Sequence, residues 1–126
     1  MNRLARPTAI LAGLLLTCAV AAQAPLPVKS EREIDQLITA LGSSGCQFQR
    51  NGSWYPASQA QSHLRRKYDY LRKRDLVASA EQFIERAGTQ SSLSNKAYQV
   101  RCPGQPAVPS STWLTTRLAA IRHASP

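Results

Sequence analysis

The sequence predicts an α+β domain: a small antiparallel sheet, made of a hairpin plus one strand, packed with about four helices and closed by one disulfide. Three observations carry this. Four segments repeat apolar residues at spacings of three and four, the period of a helix with one buried face. Two short segments alternate apolar and polar residues, and one of them runs into Asn51-Gly52, the dipeptide best suited to a two-residue hairpin turn. The order helix, hairpin, helix, helix, strand, helix lacks the βαβ rhythm of a parallel sheet.

Each element has a local reason. Residues 23–29 contain two prolines and read as an extended lead-in. Ser30 with Glu33 has the spacing of a capping box, followed by Ile34, Leu37, Ile38 and Leu41 on one face and Gly42 as the stop. Cys46–Arg50 alternates with Cys46 and Phe48 inward. Ser53–Tyr55 is the return strand, and Pro56 ends it. The helix expected over 58–73 turns Ala60, Leu64, Tyr68 and Leu71 to one side. Arg65, Arg66, Lys67, Arg72, Lys73 and Arg74 fall elsewhere, with Asp69 among them. Ser79 and Gln82 form a second capping pattern ahead of Ala80, Phe83, Ile84 and Ala87, with Gly88 as terminator. A Ser-rich loop over 89–95 leads to the alternating segment 96–102, in which Tyr98, Val100 and Cys102 share a face. Residues 103–109 read as a loop. Ser110 or Ser111 caps a last helix with Trp113, Leu114, Leu118 and Ile121 inward, and 124–126 are a tail.

The amino terminus alters the charge count. Arg3 and Arg6 precede an apolar run over 9–20, and small residues at 21, 22 and 24 follow. This is the pattern of a secretory signal peptide over residues 1–22. The run is well short of the ~20 apolar residues of a membrane span. Cys18 as a lipid acceptor fits less well, because Thr17 stands where a small residue is usual. The chain has 126 residues at +9; removing 22 residues with two arginines and no acid leaves 104 at +7. It also removes Cys18, so Cys46 and Cys102 are left with one possible intramolecular pairing. An oxidising periplasm would keep that bond closed.

No spacing suits a metal: the histidines are His63 and His123, and no Cys-x-x-Cys or His-x-x-x-His exists. The glycines form neither a dinucleotide fingerprint nor a P-loop, so no cofactor is expected. The serines at 91, 92 and 94 lie in no nucleophile motif, and Glu81 and Glu85 read first as helix-start acids. The basic run at 65–74 and the absence of any acid after Glu85 favour an anionic partner. Export argues against nucleic acid and for an anionic envelope component or an acidic protein. Oligomeric state is left open.

Four segments stand in order along the chain: Phe48-Gln49-Arg50-Asn51-Gly52, His63-Leu64-Arg65-Arg66-Lys67, Ser79-Ala80-Glu81-Gln82-Phe83-Ile84 and Ser91-Ser92-Leu93-Ser94-Asn95-Lys96-Ala97-Tyr98. Together they resemble the YfeK-like family of small exported bacterial proteins, a domain of unknown function. Asn95 stands where the family has Gly, Ser79 where it has Thr, and Ala97 where it has Pro. The likeness runs from about Ser30 to about Ile121, and it brings no activity. It gathers polar residues that a core does not require: Arg50, Asn51, His63, Arg66, Glu81, Ser91, Ser92, Lys96 and Tyr98. If the hairpin, the 58–73 helix and the Ser loop converge, these residues line one anion-holding pocket; the plainer reading is that each serves its own turn or cap. The leading expectation is therefore a periplasmic, non-enzymatic binding or accessory module over 30–123. The alternative is a small envelope hydrolase using His63 with Glu81 or a loop serine.

Overall fold

A computed structural model describes residues 5, 8–17 and 26–125. The expected cleavage zone at 21–24 and Cys18 lie outside the described residues, as do 23–25 of the lead-in. The domain contains helices α1 (Val28–Gly42), α2 (Ala57–Lys73), α3 (Ala80–Ala87) and α4 (Ser110–Ala124). Its strands are β1 (Gln47–Arg50), β2 (Ser53–Pro56), β3 (Gln99–Arg101) and β4 (Val108–Pro109). The strands form one antiparallel sheet in the order β2-β1-β3-β4. The fold is α+β, as the residue patterns predict.

The hairpin forms because Asn51 and Gly52 both take positive φ, 51° and 83°, the requirement of a type I′ turn. Pairing of Arg50 with Ser53 then sets the register, with Phe48 opposite Tyr55. In the β1–β3 pair Phe48 faces Val100 and Gln47 faces Arg101. One further step places Cys46 opposite Cys102, and the two are bonded with Cα atoms 4.1 Å apart. The disulfide is thus a cross-strand staple closing 56 residues, worth roughly 3–4 kcal/mol in the chain-entropy account.

One face of the sheet is covered. Phe48, Tyr98 and Val100 are buried beneath α2, which lies on β1 and β2, and α4, which lies on β3 and β4. Helix α1 packs across α2, α3 and α4, sealing a core that includes Ile34, Leu37, Ile38, Leu41, Leu64, Tyr68, Phe83, Leu114 and Leu118. Gln47 and Arg101 lie on the open face, where the Arg101 guanidinium stacks 4.1 Å over Trp54.

Several local expectations need correction. Helix α1 starts at Val28, and its N-cap is Pro27, not Ser30. The Ser30–Glu33 box does not form because Ser30 already lies inside the helix, and Glu33 pairs instead with Arg122, 2.7 Å away on α4. Helix α4 likewise begins after Pro109 with no side-chain cap, and Ser110 is buried in its first turn. Segment 103–109 is not all loop: Val108 pairs with Val100 and Pro109 with Gln99. Gly42 and Gly88 end their helices without left-handed φ. A Cβ on Gly42 would collide with the Gln61 side chain on α2, and one on Gly88 would meet Leu114 at 2.5 Å. Both are small because neighbouring helices approach them. At α3 the expected cap is present: Ser79 Oγ accepts from the Gln82 N–H at 3.1 Å, and Gln82 reaches back to the Ala78 N–H.

Candidate functional site

The basic run of α2 is divided by helical geometry. Arg65 and Arg72, seven residues apart, turn to α1 and pair with Asp35 (2.5 Å) and Glu31 (2.7 Å). His63, Arg66, Lys67 and Tyr70 follow the i, i+3, i+4, i+7 spacing of a different stripe. This second stripe faces the hairpin end of the sheet and the 89–97 loop.

Arg50 ends β1 on the same side of the strand as Phe48 and meets His63 there. Its Nη1 donates to His63 Nδ1 at 2.8 Å. A guanidinium only donates, so Nδ1 must be the acceptor and the ring proton of neutral His63 must sit on Nε2. Nε2 then donates to the Tyr98 hydroxyl at 2.9 Å. Lys67 Nζ donates to that same hydroxyl at 3.1 Å and to the Gln90 carbonyl at 3.0 Å, and it also lies 4.9 Å from the Tyr98 ring centroid. Tyr98 is buried, with its ring 4.8 Å from Phe48 and edge-on to His63 at 5.7 Å. Arg50, His63, Tyr98 and Lys67 therefore form a continuous chain of hydrogen bonds joining β1, α2 and the start of β3.

The electrostatics follow from this crowding of positive charge. Burial first, then Arg50, Lys67 and Arg66, push the His63 imidazolium down to about 4, so the ring is neutral at pH 7. Burial and Arg50 lower the Lys67 ammonium from its usual range. Burial raises the Tyr98 phenol, with Arg50 pulling the other way.

Two clefts open on either side of this chain, each about 410 Å³. His63 and Arg66 line both. The first cleft adds Arg50, Tyr55, Ser58, Gln59 and Ser62, with the uncapped first turn of α2 at its rim. The second adds Lys67, Tyr70, Leu71, Arg86 and Ser92. Among the described residues, no carboxylate lines either cleft.

The structure brings together Arg50, His63, Arg66 and Tyr98, with Ser92 at the edge of the second cleft. Asn51 lies beside them at the hairpin tip, where its side chain accepts from Ser94 Oγ at 2.5 Å and ties the hairpin to the loop. Ser91 is buried, and its hydroxyl serves its own turn by accepting from the N–H groups of Leu93 and Ser94. Lys96 is exposed and lines neither cleft. Glu81 is not brought to His63. It pairs with Arg122, which also holds Glu33, so one guanidinium joins α1, α3 and α4. The Arg122 hydrogen bond is the main reason that the Glu81 carboxyl sits below its usual range. Lys67 and Arg86 join the site without having been singled out. The four-residue step from His63 would have shown Lys67, whereas Arg86 arrives through the packing of α3 and has no local signal.

A family model described as "Family of unknown function (DUF5329)" matches residues 28–122. The chain is 36% identical over 86 residues to the "Uncharacterized protein YfeK" of Salmonella typhimurium (strain LT2), covering 68% of either chain. No solved structure matches.

Proposed function

Because the chain belongs to the DUF5329 family of unknown function, its site is read from chemistry alone, and we propose that it is an exported binding module for an anionic group. The observation that carries this is the pair of clefts sharing Arg66 and His63, with Arg50, Lys67 and Arg86 around them and no carboxylate in their walls. Arg66 is exposed and makes no ion pair among the described residues, so its guanidinium is available to a ligand. Guanidinium groups suit phosphate and carboxylate because they donate in a planar fork.

Export is part of the reading. The apolar side chains of Ile10, Leu11, Leu14 and Leu15 stand exposed, as suits a segment removed from the mature protein. No helix among the described residues is long and apolar enough to cross a membrane. The partner would then be an anionic envelope component or an acidic protein. Hydrolysis through His63 finds less support: both ring nitrogens are committed, to Arg50 and Tyr98, and Glu81 is held by Arg122.

Titration of the labelled protein with inorganic phosphate at low salt tests the reading. Resonances of His63 and Arg66 should move together, and Arg66→Gln should weaken binding by about tenfold, the scale of a lost charge-assisted hydrogen bond. Unmoved resonances, or equal affinity in Arg66→Gln, would remove the anion site.

A further inference from the structure

The two clefts differ in character although they share a wall. The first is bounded by groups that hydrogen-bond: the hydroxyls of Ser58, Ser62 and Tyr55 and the amide of Gln59. The second is bounded by Tyr70, Leu71 and the aliphatic stems of Lys67 and Arg86, with Ser92 at its edge. Arg66 stands between a polar site and an apolar one, so an anion bound to it has a hydrocarbon surface on one side only.

Resting on the anion-binding reading above, we infer that the ligand is an amphiphilic phosphate monoester. Its phosphate lies on the Arg66 guanidinium, flanked by Arg50 and Lys67, and its hydrocarbon chain runs into the second cleft along Tyr70 and Leu71. The occupant is specified by complementarity of both kinds: a cationic rim free of carboxylates calls for the anion, and the apolar floor beside that rim calls for a chain attached to it. A phosphate without a chain would leave the apolar part of the second cleft, at the half-buried Leu71 and the Tyr70 ring that Arg74 stacks on at 3.7 Å, facing water. A neutral amphiphile would leave Arg66 unpaired. The polar cleft receives whatever hydroxyl-bearing group extends from the other side of the phosphate, or water. The chain is drawn into a concavity on one molecule, so the ligand is taken as a monomer and not as the surface of a bilayer.

Calorimetric titrations with inorganic phosphate, hexyl phosphate and hexyl glucoside test this on the full mature chain. Hexyl phosphate should bind about tenfold more tightly than inorganic phosphate, the gain expected from burying two methylene groups. Tyr70 is exposed, so Tyr70→Ser should fold normally, and it should reduce that advantage severalfold. Leu93→Ser, at an exposed apolar position outside both clefts, should leave the advantage intact. Equal affinity for the two phosphates would overturn the inference while sparing the anion site. Failure of both phosphates to bind would overturn the anion reading itself. Hexyl glucoside binding as well as hexyl phosphate would overturn the inference, because the charge would then contribute nothing. Retention on phosphatidic acid vesicles at about 0.15 M salt without binding of hexyl phosphate would overturn it too, since the ligand would then be a membrane surface.

Discussion

At the scale of single residues, His63 is held at both ring nitrogens. Arg50 fixes its tautomer, the Tyr98 hydroxyl accepts from its Nε2–H, and Lys67 donates to the same hydroxyl. The folded ring resists protonation down to about 4, against 6.5 for the free side chain. As pH falls between these values the unfolded chain takes up a proton that the folded one does not, so stability declines through that window and levels off below it. For a half-buried group the loss should be about 1–2 kcal/mol after allowance for solvent screening. Urea unfolding of the wild type from pH 7 to 5 should show this slope, and His63→Gln should flatten it. Part of the candidate site was legible from residue types: Arg50, His63 and Arg66 are polar groups that a core does not require, whereas Tyr98 is a core residue whose hydroxyl reaches His63. Glu81 misled because its partner is 41 residues away on another helix, and no local pattern records that contact.

At the scale of elements, three of the four helices begin after a proline. Pro27, Pro56 and Pro109 all hold φ near −60° with extended ψ, and none supplies a side-chain cap. A serine at the right distance is the stronger signal on paper, which is why Ser30 and Ser110 drew the helix starts inward. Proline in these places stops the preceding strand or lead-in and sets the entry angle at once. Strand β4 was hidden for a related reason: it is two residues long and one of them is Pro109, the composition of a loop. What aligns the helices after they start is Arg122. Its removal would leave Glu33, buried on α1, without its counter-charge. Arg122→Ala should therefore cost about 2 kcal/mol, less than a wholly buried pair because the guanidinium is partly exposed. Chemical denaturation at pH 7 checks the loss, and the Glu33 carboxyl should titrate higher in the variant.

At the scale of the whole molecule, the basic side chains behind the charge of +9 include two unlike sets. Arg65, Arg72 and Arg122 are consumed in holding helices together, and Arg50, Arg66, Lys67 and Arg86 surround the clefts. Composition gave the surplus but not this division, which depends on which side of α2 meets α1. The fold class itself was legible because each period, three to four or two, agrees with the burial finally reached. Phe48, Val100 and Tyr98 are inward in the phase that alternation requires. The disulfide binds that sheet together. The variant with both Cys46→Ala and Cys102→Ala should lose roughly 3–4 kcal/mol, read as a lower urea midpoint with an increased m-value, since its unfolded chain opens further.

The Cys46–Cys102 bond also defines a route for force. Residues 46–102 form a covalently closed ring, and every residue assigned to the two clefts lies within it. Tension applied to the two ends of the domain passes along α1, crosses at the sulfur atoms and leaves through α4. The binding segment is never in the loaded path. A molecule tethered at one end and tugged at the other can peel both terminal helices while the polypeptide that carries the clefts remains slack.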